Sequence, residues 1–213
     1  MSAETKKGNN VMVNPETMKP ELNKFKNCLF LDVDGVLNCQ LFYSERYKHL
    51  TQYDGIPFYK TVKKYLRKLL KTKEISKWDY YKSEMCPMCM DMLNGLCERT
   101  NTAIVLSASM RSGWNVAELQ EIFNYCGATF TIIGKTCHTK ERIRGVEILE
   151  WLRENCMEWF GVHSHNFYRY AIIDDDSDML IWQQNNFFQT DNYSGLTPST
   201  IYRIERFFTH ETF

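Results

Sequence analysis

Three stretches of the chain run apolar without alternation and then stop abruptly at small or acidic residues. They are Cys28-Leu-Phe-Leu31 before Asp32, Thr102-Ala-Ile-Val-Leu106 before Ser107, and Tyr170-Ala-Ile-Ile173 before Asp174. A continuous apolar run marks a strand covered on both faces. Ala128-Thr-Phe-Thr-Ile-Ile133 before Gly134 fits a fourth. Stretches of helical periodicity lie between them. Val116, Leu119, Ile122, Phe123 and Cys126 share one spacing, Val146, Leu149 and Leu152 another, and Tyr59 to Leu70 carries a third. Strand and helix in alternation predict right-handed crossovers and a parallel sheet with helices on both faces, a three-layer Rossmann-like α/β fold. Ligands of such sheets bind at the carboxyl ends of the strands. Asp32, Ser107 and Asp174 are therefore expected to converge on one rim.

Residues 1–23 are polar, contain Gly8, Asn9, Asn10, Pro15 and Pro20, and show no sustained period, which predicts a flexible arm ahead of a domain spanning 24–213. Leu37 to Thr102 is longer than one crossover needs, so a small helical insert after the first strand is expected within about 40–100. Its Cys86-Pro-Met-Cys89 segment reads as turn-rich.

With 44% apolar and 24% charged residues in 213, wholesale disorder is excluded. Twenty-six Lys and Arg balance twenty-six Asp and Glu, so no global field is available to hold a polyanion, and contact with nucleic acid needs a local basic patch. The 14% aromatic content belongs largely in a core. No apolar segment follows Met1, and no run is long enough to cross a bilayer. The expectation is a cytoplasmic protein with no membrane association, whose eight cysteines are reduced. Oligomeric state leaves no sequence signal.

Asp32-Val-Asp34-Gly-Val-Leu-Asn38 places two carboxylates at i and i+2 after a buried strand, and an extended chain would turn both to one face. Gly35 allows a sharp turn and a close backbone approach. Asp174-Asp-Asp-Ser-Asp178 supplies four more carboxylates after another strand. Two ionised carboxylates about 4 Å apart repel by roughly 4 kcal/mol at an effective dielectric near 20. A cation or protonation must offset that. Oxygen ligands without histidine favour Mg²⁺, which keeps coordination positions open for phosphoryl oxygens. A carboxylate beside it can act as a nucleophile. Taken singly, Asp34-Gly35 is a hairpin turn signal and the Asp174 to Asp178 run a helix cap. A lone Ser107 is a cap and a lone Arg144 a surface residue. Occurring together at strand ends, they point to phosphoryl chemistry.

In order, Asp32-Val-Asp34-Gly-Val, Leu106-Ser107, a later Lys or Arg, and Ile173-Asp-Asp-Asp-Ser-Asp178 resemble the four motifs of the haloacid dehalogenase-like (HAD) superfamily of phosphohydrolases. More narrowly, Phe30 to Asn38, Val105 to Arg111, Arg144-Gly-Val-Glu-Ile148 with Trp151, and Ile173 to Met179 resemble the HAD domains linked to Swiss Army Knife RNA-repair proteins, over roughly Lys24 to Leu196. The resemblance implies a Mg²⁺-dependent phosphatase with Asp32 as nucleophile and Asp34 as general acid and base. Ser107 would grip the phosphoryl group. Asp32, Asp34, Asp174, Asp175 and Asp178 would hold or support the metal. Gly35, Asn38, Ser109, Arg111 and Lys140 would bind substrate. The third-motif cation is open among Lys140, Arg142 and Arg144, with Arg144 favoured because it precedes the helix carrying Ile148 and Trp151. Met110 stands where these domains commonly carry Trp, so contacts there are expected to differ. RNA or DNA phosphate ends are the substrates the resemblance favours. Small phosphate esters, a catalytically silent binding module and a phosphotransferase are the alternatives.

Cys86 and Cys89 lack the second ligand pair that structural zinc needs, and they read as packed thiols. A thioredoxin-like role would require a strand-to-helix junction, which is not expected there. Lys60, Lys63, Lys64, Arg67, Lys68, Lys71, Lys73 and Lys77 form a basic run, read either as a solvated helix face or as a surface that tracks phosphates. His138, His163 and His165 show no ligand spacing. Gln189 to Asp191 and Gly195 to Thr197 are expected at the sheet edge.

Overall fold

The computed structural model describes residues 24–50 and 57–209, so the arm expected over 1–23 lies outside the described residues. Five parallel strands form one sheet: β1 (Asn27–Leu31), β2 (Thr102–Leu106), β3 (Ile132–Lys135), β4 (Tyr170–Asp174) and β5 (Phe187–Gln189), in the order β3-β2-β1-β4-β5. The chain builds outward from β1 to β3 and then crosses to the other side of β1 to lay down β4 and β5. The topological switch therefore falls between β1 and β4, where Leu31 lies opposite Ile173.

Alternation along the buried strands supplies both helix layers. Leu29, Leu31, Ile104 and Leu106 face α4 (Pro87–Thr100), α5 (Val116–Tyr125) and α7 (Pro198–Thr209). Cys28, Phe30, Ala103, Val105 and Ile172 face α6 (Arg144–Phe160), where the Trp151 ring meets Phe30 edge-on at 5.5 Å between centroids. Gly134 makes room for that indole, because a Cβ there would lie 2.6 Å from its Nε1. The β1–β2 connection also carries α1 (Gln40–Arg46), α2 (Phe58–Lys71) and α3 (Lys77–Glu84), and Tyr43, Tyr47, Val62 and Leu66 form a small core of their own there.

The structure corrects the sequence reading in several places. Cys86-Pro-Met-Cys89 is the start of α4, with Cys86 as N-cap and Pro87 in its first turn, rather than a turn. Proline suits that position because its missing N–H has no helical acceptor there in any case. The fourth strand is confined to Ile132–Lys135, and α6 runs on to Phe160. The helices α1 and α3 and the three-residue strand β5 have no counterpart in the apolar periodicity, whereas α7 carries Ile201, Ile204 and Phe208 at helical spacing, a stripe that the sequence reading leaves unassigned. Among the described residues no helix is long and apolar enough to cross a membrane.

Candidate active site

Neighbouring parallel strands lie about 4.8 Å apart, so residues that leave β1 and β4 in register emerge side by side. The Asp32 amide donates to the Ile173 carbonyl at 3.0 Å, which fixes Asp32 beside Asp174. Asp32, Asp174 and Asp175 bring carboxylate oxygens within 4.8 Å of one another, the only such group of metal-ligand type among the described residues. Asp32 and Asp174 are buried, and Asp175 is half-buried. Burial, with repulsion from Asp174, pushes the Asp32 carboxyl well above the usual carboxylate range, and Arg144 opposes the shift. Burial likewise pushes Asp174 up to about 6, again opposed by Arg144. Asp175 is also raised, chiefly by burial and then by Asp176.

Gly35, at φ +72°, is where the chain leaves the extended conformation, and a Cβ there would come within 2.4 Å of the Asp175 side chain. The backbone of the loop after β1 thus packs directly against the loop after β4. Thr190 Oγ1 fastens the contact by donating to the Gly35 carbonyl at 2.9 Å. The turn also separates the first two aspartates. Asp34 is exposed, accepting from Lys63 Nζ at 2.6 Å and from Asn38 Nδ2 at 2.9 Å, and it does not join the three clustered carboxylates. Asn38 is buried and braces the same turn, its Oδ1 accepting from the Gly35 amide at 3.1 Å.

Of the three cations open in the sequence, Arg144 enters the cluster. Its Nε lies 3.1 Å from Asp174 Oδ2 and its terminal nitrogens 3.3 Å from Asp32 Oδ1 and 3.6 Å from Glu147 Oε2, with a further bond to the Ser107 carbonyl. Lys140 and Arg142 are exposed. Asp178 lies outside the carboxylate group. Its Oδ2 accepts the Arg144 N–H at 2.8 Å and its carbonyl the Gly145 N–H at 3.2 Å, satisfying donors that the first turn of α6 leaves unpaired.

Ser107 is fully buried and its Oγ has no hydrogen-bond partner. A buried hydroxyl left unpaired costs about 1–3 kcal/mol, so its placement beside the aspartates is suited to a ligand oxygen. Arg111 is buried, and its guanidinium is consumed by the carbonyls of Ser107, Ala108 and Thr136 and by Glu147. It holds the loop after β2 in place. Ser109 is exposed on a cleft of about 250 Å³ shared by Asp34, Lys63, Arg67, Tyr80, Tyr81 and Glu84.

Glu147, quoted within the Arg144 to Ile148 segment, has no role in the sequence reading. It is buried between Arg111 and Arg144, accepts from the Thr139 amide, and faces His138 Nδ1 at 3.4 Å. Its only sequence signal is its position one turn after Arg144. His138 is exposed, as a loop histidine should be, yet it is tied to Ser112 Oγ at 2.6 Å.

The family model described as the HAD domain in Swiss Army Knife RNA repair proteins matches residues 28–201, which contain every side chain of this cluster. No curated protein and no solved structure matches the chain.

Proposed function

We propose that this chain, which belongs to the family of HAD domains in Swiss Army Knife RNA repair proteins, is a Mg²⁺-dependent phosphoric monoester hydrolase working through an aspartyl-phosphate on Asp32. The observation that carries the reading is one spot where three crowded carboxylates, the Arg144 guanidinium and the unpartnered Ser107 hydroxyl meet. Asp32 attacks phosphorus in line while Ser107 and Arg144 hold the non-bridging oxygens. Asp34 protonates the departing oxygen, giving up its contact with Lys63, and then takes a proton from the water that cleaves the phospho-aspartate. Asp32, Asp174 and Asp175 would hold the ion, whose crowded carboxylate donors suit a hard cation. When bound, it supplies charge neutralisation for the phosphoryl oxygens. Asp178 and Arg111 act as positioning residues for Arg144 and Ser107. Release of inorganic phosphate from p-nitrophenyl phosphate and from 5′- and 3′-phosphorylated oligonucleotides, with and without Mg²⁺, tests the reading. No release from any of them would leave a silent binding module, and phosphate delivered to an acceptor other than water would make the chain a phosphotransferase.

Metal binding has a thermal signature with a definite sign. Asp32 and Asp174 hold protons more tightly in the folded chain than in the unfolded one, where an aspartate titrates near 3.9. Their stabilising contribution to the metal-free fold is complete below that value and is lost as pH rises through the folded ones, about 6 for Asp174. A divalent ion takes the place of those protons. The rise in melting temperature on adding Mg²⁺ should therefore be larger at about pH 8 than at about pH 5. Asp174→Asn should flatten the difference, and an equal rise at both pH values would remove the metal site.

Nucleic-acid phosphate ends are the substrate class we favour. Lys60, Lys64, Arg67, Lys68 and Lys71 are exposed on α2, the helix that sends Lys63 and Arg67 to the cleft. Replacing Lys60, Lys64 and Lys68 by Ser should weaken binding of phosphorylated single-stranded RNA. It should also reduce the log–log salt slope, by roughly 0.7 for each phosphate that the variant no longer neutralises. A flat slope in the parent protein would transfer the proposal to small phosphate esters, which a cleft bordered by α2 and α3 also admits.

A further inference from the structure

The segment Cys86-Pro-Met-Cys89 takes no part in the chemistry above, yet it sits directly behind the catalytic loop. Cys86 is the N-cap of α4 and Cys89 lies one turn inside the helix, with both side chains buried. The Cys89 thiol faces two acceptors, the Cys86 sulfur and the Leu196 carbonyl oxygen at 3.6 Å. The neighbouring Cys89 thiol, with the N–H groups of Cys89 and Met88, lowers the Cys86 thiol below the ordinary cysteine range against the opposing effect of burial. Of the two sulfurs Cys86 is therefore the readier to form the thiolate, the form that attacks disulfides. Zinc is not supported, because no group of three cysteines, histidines or carboxylates other than the aspartate cluster is close enough to share an ion among the described residues. The third thiol of this region, Cys39, caps α1 by accepting from the Phe42 amide.

The pair is wired to the active-site loop from two sides. The Cys86 amide donates to the Leu37 carbonyl at 2.8 Å. Leu196, whose carbonyl faces the Cys89 thiol, donates its own amide to Val36 at 3.0 Å. Val36 and Leu37 belong to the turn that presents Asp34 and Asn38.

We propose that Cys86 and Cys89 are a reversible redox pair, oxidised to a disulfide by low-molecular-weight disulfides such as oxidised glutathione, and that the bridge regulates the site behind which it forms. Cys86 is the attacking sulfur. It forms a mixed disulfide and displaces one glutathione thiolate. Cys89 then gives up its proton and attacks the Cys86 sulfur, and the second glutathione thiolate leaves and takes that proton. Two cysteine thiols lose two electrons, and one glutathione disulfide becomes two thiols. The bridge removes the S–H that donates to Leu196 and constrains the first turn of α4, whose Cys86 amide holds the Leu37 carbonyl, so it acts on the loop from both contacts. Burial of both sulfurs makes the reaction slower than at the exposed Cys137, so that thiol has to be removed before the pair can be followed.

The regulatory half rests on the hydrolase reading, whereas the disulfide itself does not. The full chain carrying Cys137→Ser is treated with oxidised glutathione, quenched in acid, and read by intact mass and peptide mapping. A loss of about 2 Da with a Cys86–Cys89 linked peptide is expected. Adding Cys89→Ser should leave a glutathione adduct on Cys86, adding Cys86→Ser should give neither product, and adding Cys39→Ser should change nothing. Phosphate release should fall in proportion to the bridged fraction and return with dithiothreitol. Thiols that all stay free, or a bridge between other cysteines, would overturn the redox pair. A Cys86–Cys89 bridge that leaves phosphate release unchanged would overturn its regulatory role. A chain that releases no phosphate while still bridging would count against the hydrolase reading alone.

Discussion

Asp32→Asn should stop phosphate release while leaving a folded protein. The substitution keeps the side chain's shape and removes the proposed nucleophilic oxygen, so no phospho-aspartate could form. The rate should drop by roughly four orders of magnitude or more, the scale on which loss of a covalent nucleophile is felt. Stability should move in the other direction. In the metal-free chain the ionised Asp32 is disfavoured by burial and by Asp174, and its ion-pair partner is Arg144 at 3.3 Å. A neutral amide relieves the repulsion and forfeits that ion pair. The metal-free melting temperature should accordingly hold or rise relative to the parent's as pH is raised, because the ionised carboxyl is the form that the fold disfavours. Acid-quenched reactions with labelled substrate should retain label on the parent protein and none on the variant. A variant that still turned over, or that melted more than about 5 °C lower, would break the assignment, the latter by making inactivity a folding defect.

The parts of this site visible in the sequence are those that a strand end determines. Once Leu31 and Ile173 are read as the last residues of adjacent buried strands, Asp32 and Asp174 have nowhere to emerge but side by side. The unreadable parts depend on loop geometry or long-range pairing. An extended Asp32-Val-Asp34 would present both carboxylates together, but the chain turns at Gly35, and Lys63 and Asn38 hold the Asp34 carboxylate outside the three-carboxylate group. Arg111 reads as a substrate cation because arginine is ordinarily exposed. It is instead neutralised by Glu147, a residue 36 positions away in a helix whose amphipathic pattern gives no reason to bury a carboxylate. At the start of α4 two cysteines read as a motif and hide the helix, although proline in a first turn is itself a helix signal. At three residues, β5 is too short to show a period, and it forms only because β4 offers it a free edge.

Arg144→Ala should be the most damaging change that leaves every carboxylate in place, and it also decides among the three cations left open by the sequence. The guanidinium spans Asp32, Asp174 and the Ser107 carbonyl and lies near Glu147, so it touches the proposed nucleophile, a proposed metal ligand and the loop of the proposed phosphate-gripping Ser107 at once. Removing it leaves these buried carboxylates facing one another uncompensated, a situation that costs about 3–5 kcal/mol in other buried pairs. The metal-free melting temperature should fall clearly, and Mg²⁺ should restore more of it than it adds to the parent. Turnover should fall by roughly 10²–10³ even with metal, as when a preorganised donor to a developing charge is lost. Arg144→Lys should recover stability better than turnover, because an ammonium supplies charge but not a planar fork that reaches several partners at fixed angles. Lys140→Ala and Arg142→Ala, both at exposed positions, should change neither quantity appreciably. If Lys140→Ala cost as much turnover as Arg144→Ala, the phosphate cation would be Lys140, and Arg144 would be left with the structural task of keeping three carboxylates in one place.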